Sequence, residues 1–353
     1  MRTIKICLGL IGILLAFAAC GNADDDFNNP GGVDGCLDLG AAQLRLSIQD
    51  QFTTLPGKVS VFFKVNDLQG KPVSGLTASD FTIYESGRND NCFNTISASE
   101  SAARISPKAQ VFNSNTILLL DLSNSVLSNS LQELKDASVS FINNVMPAVP
   151  SDSYNMAIYW FDGEDELHLL QELTSDAAAL VNAVQGIDEN ISNDPSTDLY
   201  GAVIKAGEVA QQIVAAGAGE DIISAASVVV FTDGTDQASR YSQNQALEVV
   251  RNSDDNVSWF TIGLGAEIDQ AVLNNIGTTN SAFASNKEEL EDIFVEISEE
   301  VKGQANSFYL FEYCSPKRDG SGINQLVIQA IDGDRQGAVQ TQFDATGFTA
   351  GCQ

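Results

Sequence analysis

Histidine is almost absent from this chain of 353 residues, in which His168 is the only one. A Ser-His-Asp or Cys-His mechanism needs an imidazole beside its nucleophile, so such chemistry has few parts to work with. His168 itself falls in a predicted strand, Glu166 to Leu170, and reads as structural. Positive charge is also scarce: 18 Lys and Arg stand against 47 Asp and Glu, a formal charge of −29. A chain of that sign repels phosphate backbones, which argues against nucleic acid as a partner. The six cysteines show neither CxxC nor a Cys/His spacing of the zinc type. Gly263-Leu264-Gly265 follows a predicted strand, but Ile268 stands where a dinucleotide-binding loop needs its third glycine, and no Walker-type lysine motif is present. No internal repeat is visible, which excludes a solenoid or propeller. Past the N-terminal segment, no apolar run is long enough to cross a bilayer as a helix.

What is present begins with an export signal over residues 1–19, with Arg2 and Lys5 ahead of an apolar stretch from Ile6 to Ala19. Its end, Phe17-Ala18-Ala19-Cys20-Gly21, resembles a bacterial lipobox. That resemblance implies cleavage before Cys20 and lipidation of its thiol; a plain secretory signal cut nearby is the alternative. Cleavage removes Arg2 and Lys5 and no acidic side chain, deepening the negative charge. Residues 20–35, with Asp24-Asp25-Asp26, Asn28-Asn29-Pro30 and Gly31-Gly32, cannot bury apolar surface and read as an acidic tether. Acidic residues behind a lipidated cysteine resemble the surface-export signals of some bacterial lipoproteins. The expected location is therefore the bacterial outer membrane, lipid-anchored and surface-exposed, with a periplasm-facing anchor as the alternative. Cys7 leaves with the signal, so Cys36, Cys92, Cys314 and Cys352 remain for disulfides. Of the three pairings that four cysteines allow, Cys36 with Cys92 and Cys314 with Cys352 closes the shorter loops.

The hydrophobic pattern divides the chain further. Over 36–112, short alternating runs such as Val59, Val61, Phe63 and Val65, and Phe81 to Tyr84, predict the N-terminal part of an all-β sandwich. From 113 to 305, apolar strands near 116–121, 155–161, 166–170, 226–232, 257–262 and 282–285 alternate with helical patterns over 131–145, 176–184, 199–214, 243–251, 269–276 and 287–301. This alternation predicts an α/β fold with an open, mostly parallel, doubly wound sheet. Ser130 with Glu133 is a predicted capping box for the first of these helices, which Pro147 and Pro150 end. Strands return over 306–353, a stretch too short to bury a core alone, so the sequence predicts one sandwich split by an inserted α/β domain. Two separate small β units are the alternative.

Three segments of the α/β region carry chemistry: Asp121-Leu122-Ser123-Asn124-Ser125, Ser196-Thr197-Asp198-Leu199-Tyr200-Gly201-Ala202, and Val228-Val229-Val230-Phe231-Thr232-Asp233-Gly234. Asp121 and Asp233 each stand where an apolar strand ends, at the edge where such sheets bind ligands. Oxygen ligands of this kind suit hard cations, Mg²⁺ or Ca²⁺. Read structurally, the same serines form turns, Thr197 caps a helix and Asp233-Gly234 turns the chain. Acidic pairs such as Glu164-Asp165 read as solvated loop.

Taken together, Asp121-x-Ser123-x-Ser125, Thr197 and Asp233-Gly234 resemble the metal-ion-dependent adhesion site of von Willebrand factor type A domains. The resemblance implies direct ligation by Ser123, Ser125 and Thr197, and action largely through water by Asp121 and Asp233. Neutral hydroxyls leave the cation electron-poor, so the implied partner is a protein that presents a carboxylate. Ser196 and Asp198, which flank Thr197, compete with it for the ligand position. Val73 to Glu85 is similar to the immunoglobulin-like segment that precedes such domains in bacterial surface proteins, and a sandwich interrupted in this way is also similar in architecture to the integrin β subunit. Cation-dependent binding in adhesion or assembly is the expected function, and no enzyme activity is expected. The alternatives are a metal-indifferent spacer in an envelope complex and, with no general base evident beside the cation, a cation-dependent hydrolase.

Overall fold

The structure, a computed structural model, describes residues 32–96, 104–106, 112–218, 222–316 and 322–349. The export signal, Cys20 and Cys352 lie outside the described residues. The central sheet has six strands: β6 (Phe112–Asp121), β7 (Tyr154–Phe161), β8 (His168–Thr174), β9 (Ile223–Thr232), β10 (Val257–Leu264) and β11 (Asn280–Ala284). Their order is β11-β10-β9-β6-β7-β8, and every pair is parallel except β7 with β8.

Both faces of this sheet are covered because its central strands carry unbroken apolar runs, Ile117 to Leu120 in β6 and Val228 to Phe231 in β9, rather than alternating ones. Leu118 and Leu120 of β6 point to one face with Val229 and Phe231, where they meet α2 (Leu131–Val145), α3 (Ala177–Gln185) and α7 (Leu290–Asn306). Ile117 and Leu119 point to the other face with Val228 and Val230, against α4 (Leu199–Ala218), α5 (Gln243–Arg251) and α6 (Gln270–Ile276). The two-residue period of a strand makes this division, and each Leu, Ile or Phe so buried contributes about 1.5–3 kcal/mol. Asp176 and Asp269 each accept two amide hydrogen bonds at the starts of α3 and α6, and Ser242 with Gln245 forms a capping box on α5.

The capping box expected at Ser130 and Glu133 does not form. A short helix, α1 (Asn124–Asn129), precedes α2, and the Ser130 hydroxyl donates back to its Val126 carbonyl. Glu133 instead pairs with Lys287 at 2.7 Å. With a helical turn directly upstream, the serine finds an acceptor there before it finds the amides of α2.

Two smaller antiparallel sheets flank this core. One has the order β1-β2-β12-β5, from β1 (Leu44–Thr54), β2 (Lys58–Asp67), β12 (Phe308–Cys314) and β5 (Arg104–Ser106). The other has the order β14-β13-β3-β4, from β14 (Arg335–Asp344), β13 (Ile323–Asp332), β3 (Phe81–Ser86) and β4 (Asn94–Ile96). Strands from before and after the α/β region thus pair directly: β12 with β2, and β13 with β3. Val61, Phe63, Ile83, Phe311 and Ile328 belong to one core shared by the two sheets. β1 was not legible in the sequence, because only its first residues are buried and the remainder, to Thr54, is largely exposed. Cys36 and Cys92 are joined, with Cα atoms 5.8 Å apart. Cys314 is also disulfide-bonded.

Candidate metal centre

β6 and β9 run parallel at the middle of the sheet, Leu120 opposite Phe231. Both strands therefore release their loops at one carboxyl edge, the place where open α/β sheets gather ligands. Asp121, the last residue of β6, has no solvent exposure. One of its oxygens, Oδ1, accepts the Ser123 amide at 2.9 Å, and the other, Oδ2, accepts the Thr232 hydroxyl at 2.7 Å. The hydroxyls of Ser123 and Ser125 lie 3.2 Å apart, and Ser125 donates to Asp233 Oδ1 at 2.8 Å. Asp121, Ser123, Ser125 and Asp233 thus form one connected set, drawn from loops more than a hundred residues apart.

Thr197 joins the set through its backbone. Its carbonyl accepts the amides of Gln237 and Ala238, from the loop after β9, and the Asn124 amide donates to Pro195 just upstream. The three loops are stitched together by main-chain bonds. The Thr197 hydroxyl, although buried, makes no hydrogen bond to the other four side chains. Its neighbours are occupied elsewhere: Ser196 donates to Asp194, and Asp198 accepts the Gly201 amide at the start of α4.

The electrostatics fit a cation. Burial pushes the Asp121 carboxyl up to about 7, against the pull of the Thr232 hydroxyl and with the help of the Asp233 charge. Burial also raises Asp233, with the Ser125 hydroxyl opposing, and raises Asp198. Among the described residues neither Asp121 nor Asp233 has a basic partner. Two carboxylates and three hydroxyls make an all-oxygen donor set, which suits Mg²⁺ or Ca²⁺ better than a softer metal.

A second group lies along the same edge, where β7 turns into β8. Ligand atoms of Asp162, Glu164 and His168 all lie within 4.8 Å of one another, a cluster that could hold a divalent cation. The sequence offered little sign of it. His168 stood alone, and nothing local shows that an antiparallel hairpin folds it back over the end of its own partner strand. Glu164 lies, as expected, in the loop between β7 and β8, but it is half-buried and belongs to this cluster, whereas the adjacent Asp165 is exposed and pairs with Lys205 at 2.6 Å. Thr232 was missed as well, since a threonine closing a β-strand is unremarked until its hydroxyl is seen on Asp121.

Residues 115–298, more than half of the chain, match the von Willebrand factor type A domain, and the chain belongs to that family. Domains of this family are generally non-catalytic modules of adhesion and protein interaction. The chain is similar to a von Willebrand factor type A protein from Catenulispora acidiphila, at TM-score 0.46 and 12% identity over 86% of this chain and 74% of that one. It is similar to proximal thread matrix protein 1 from the mussel byssus, solved with zinc in its MIDAS motif, at TM-score 0.45 and 15% identity over 56% of this chain and 50% of that one. BatB from Bacteroides thetaiotaomicron matches at TM-score 0.41 and 15% identity, over 54% of this chain and 100% of that one. No curated protein matches the chain.

Proposed function

We propose that this protein is an exported envelope lipoprotein, anchored through Cys20, whose type A domain captures a protein partner through a divalent cation. Asp121, Ser123, Ser125, Thr197 and Asp233 would hold Mg²⁺ or Ca²⁺, and a carboxylate of the partner would take the open position. The observation that carries this reading is the connected set in which Ser125 donates to Asp233 at 2.8 Å while Asp121 lies buried beside it. Two carboxylates brought together without a basic partner repel one another, and a cation between the loops would relieve that repulsion. The flanking sheets, read as an immunoglobulin-like sandwich, would carry the binding edge away from the anchor. Outer-membrane display is part of this proposal, with the acidic tether after Cys20 as its support.

Calorimetry tests the centre. Wild-type protein should bind Mg²⁺ or Ca²⁺, and Asp121→Ala and Asp233→Ala should bind at least about tenfold more weakly. Capture of a partner from envelope extracts should be lost on chelation. One observation favours a second reading, a metal-indifferent spacer: Thr232 and Ser125 already satisfy Asp121 and Asp233 by hydrogen bonds, so the loops close without an ion. Partner capture that survives chelation would select it.

A further inference from the structure

The Asp162, Glu164 and His168 cluster differs in kind from the oxygen site beside it. Asp162 is fully buried and is held on both oxygens: Oδ1 accepts the Glu164 amide at 2.8 Å, and Oδ2 accepts the Ser192 hydroxyl at 2.7 Å and the amides of Asn193 and Asp194 at 3.3 Å. Its carboxylate is therefore fixed in direction before any ligand arrives. His168 is fixed too, because its ring stacks on Trp160, the residue opposite it in the hairpin, with centroids 4.0 Å apart. This orientation sets Nε2 at 3.4 Å from Glu164 Oε2 and 4.0 Å from Asp162 Oδ1.

Nε2 makes no hydrogen bond to either carboxylate in this arrangement, and the atom itself is buried. A buried polar atom with no partner needs an explanation, since leaving one unmade costs about 1–3 kcal/mol. A tetrahedral metal with bonds of about 2.0–2.2 Å sets its ligand atoms roughly 3.3–3.6 Å apart. The Nε2 to Glu164 spacing already meets that, and the Glu164 side chain, the most exposed of the three at 38%, has room to adjust. The 4.0 Å from Nε2 to Asp162 Oδ1 closes only if the hairpin end carrying His168 draws slightly toward Asp162.

We propose that Asp162, Glu164 and His168 form a transition-metal site of the Zn²⁺ class, independent of the cation proposed at Asp121. One imidazole nitrogen and two carboxylates are a donor set that zinc and its neighbours accept and that Mg²⁺ and Ca²⁺ do not prefer. Three protein ligands leave a fourth position for water or an outside donor. The site also reaches the neighbouring loop: the Asp162 carbonyl accepts the Asp198 amide at 2.8 Å, and its carboxylate holds residues 192–194, so a metal here bears on the segment that carries Thr197.

A lone histidine makes the test direct, because the imidazole resonances of the full chain are those of His168 and need no assignment. Zn²⁺ added in the presence of excess Mg²⁺ should shift those resonances at a stoichiometry of one, and Co²⁺ in its place should give visible absorption that Zn²⁺ removes. Glu164→Gln and His168→Gln should each weaken Co²⁺ binding at least about tenfold, the loss that even an outer partner of a ligand typically produces. Asp121→Ala should leave it within about twofold. If His168→Gln fails to fold, Glu164→Gln, altered at the most exposed of the three ligands, decides the same point. Imidazole resonances unmoved by saturating Zn²⁺ would overturn the site and leave His168 as a ring packed on Trp160. Binding lost in Asp121→Ala but kept in Glu164→Gln would overturn it by assigning the metal to the oxygen site.

Discussion

At the carboxyl end of the six-stranded sheet, Asp121, Asp162 and Thr197 are buried among hydroxyls and backbone amides. At the opposite end, Phe112 opens β6 against Phe308 of β12 and Phe62 of β2, with ring centroids 4.6 and 5.5 Å apart. The chain enters the α/β region at Phe112 and leaves it at Phe308, so both connections to the flanking sheets pass through the aromatic end. One end of the sheet is thus committed to attachment by apolar area. The other gathers polar side chains on loops that carry no connection to the flanking sheets, which is where a family of binding modules would place its contact surface.

Breaking the aromatic end should have the largest effect. Phe308→Ala removes a fully buried ring and should cost about 3–5 kcal/mol in denaturant unfolding, while cation titrations at the distant edge keep their midpoints. If cation affinity fell with stability, the two ends would not be separable. Next in size, Asp121→Ala should abolish most cation binding, roughly a hundredfold in affinity or about 2.7 kcal/mol, and leave chelated protein no less stable, since it removes a buried carboxylate. Calorimetry and thermal melts with chelator check both halves.

Gly163→Ala should follow. A Cβ there would stand 2.0 Å from the Ser196 hydroxyl and 2.3 Å from the Asp194 carboxylate, so these two side chains, which are bonded to one another, must give way just before Thr197. A cost of about 1–3 kcal/mol is expected, together with weaker binding at both proposed metal sites.

The pH dependence separates the ends further. In chelated protein the native Asp121 keeps its proton up to about 7, whereas the unfolded chain releases it near 3.9. Between those values the native state binds more protons, so this group makes stability fall as pH rises, and melts in Asp121→Asn should lack that component. At the aromatic end the sign is reversed. Burial lowers Lys64 to about 8, with the Asp255 charge opposing, and its ammonium lies 5.1 Å over the Phe308 ring. From about 8 to the unfolded value near 10.4 the unfolded chain binds the extra proton, and this group makes stability rise with pH. Lys64→Met should therefore stabilise the protein at pH 7 by about 1 kcal/mol, with the gain shrinking as pH rises through that window. It is the smallest effect of the series.

Much of the α/β region was legible because its information is local. The predicted helix over 131–145 coincides with α2, and Gln243–Arg251 coincides with α5, each set by a repeat of apolar residues on one face. The strand ends carrying Asp121 and Asp233 were legible for the same reason. Signals that depend on what lies alongside were not. Ser130 looked like a cap until α1 supplied another acceptor, and His168 looked inert until Trp160 and Asp162 were beside it.

The sequence by itself determined the order of elements, the three acidic and hydroxyl-bearing loops and the membership in a family, because periodicity and short motifs are properties of neighbouring residues. Tertiary structure alone decided that β2 pairs with β12 and β3 with β13 across more than two hundred residues, that three aromatic rings close the junction, and that the single histidine folds onto Asp162 and Glu164. Those contacts follow from shared burial and strand register between distant segments, and no local pattern records which distant surface a segment will meet.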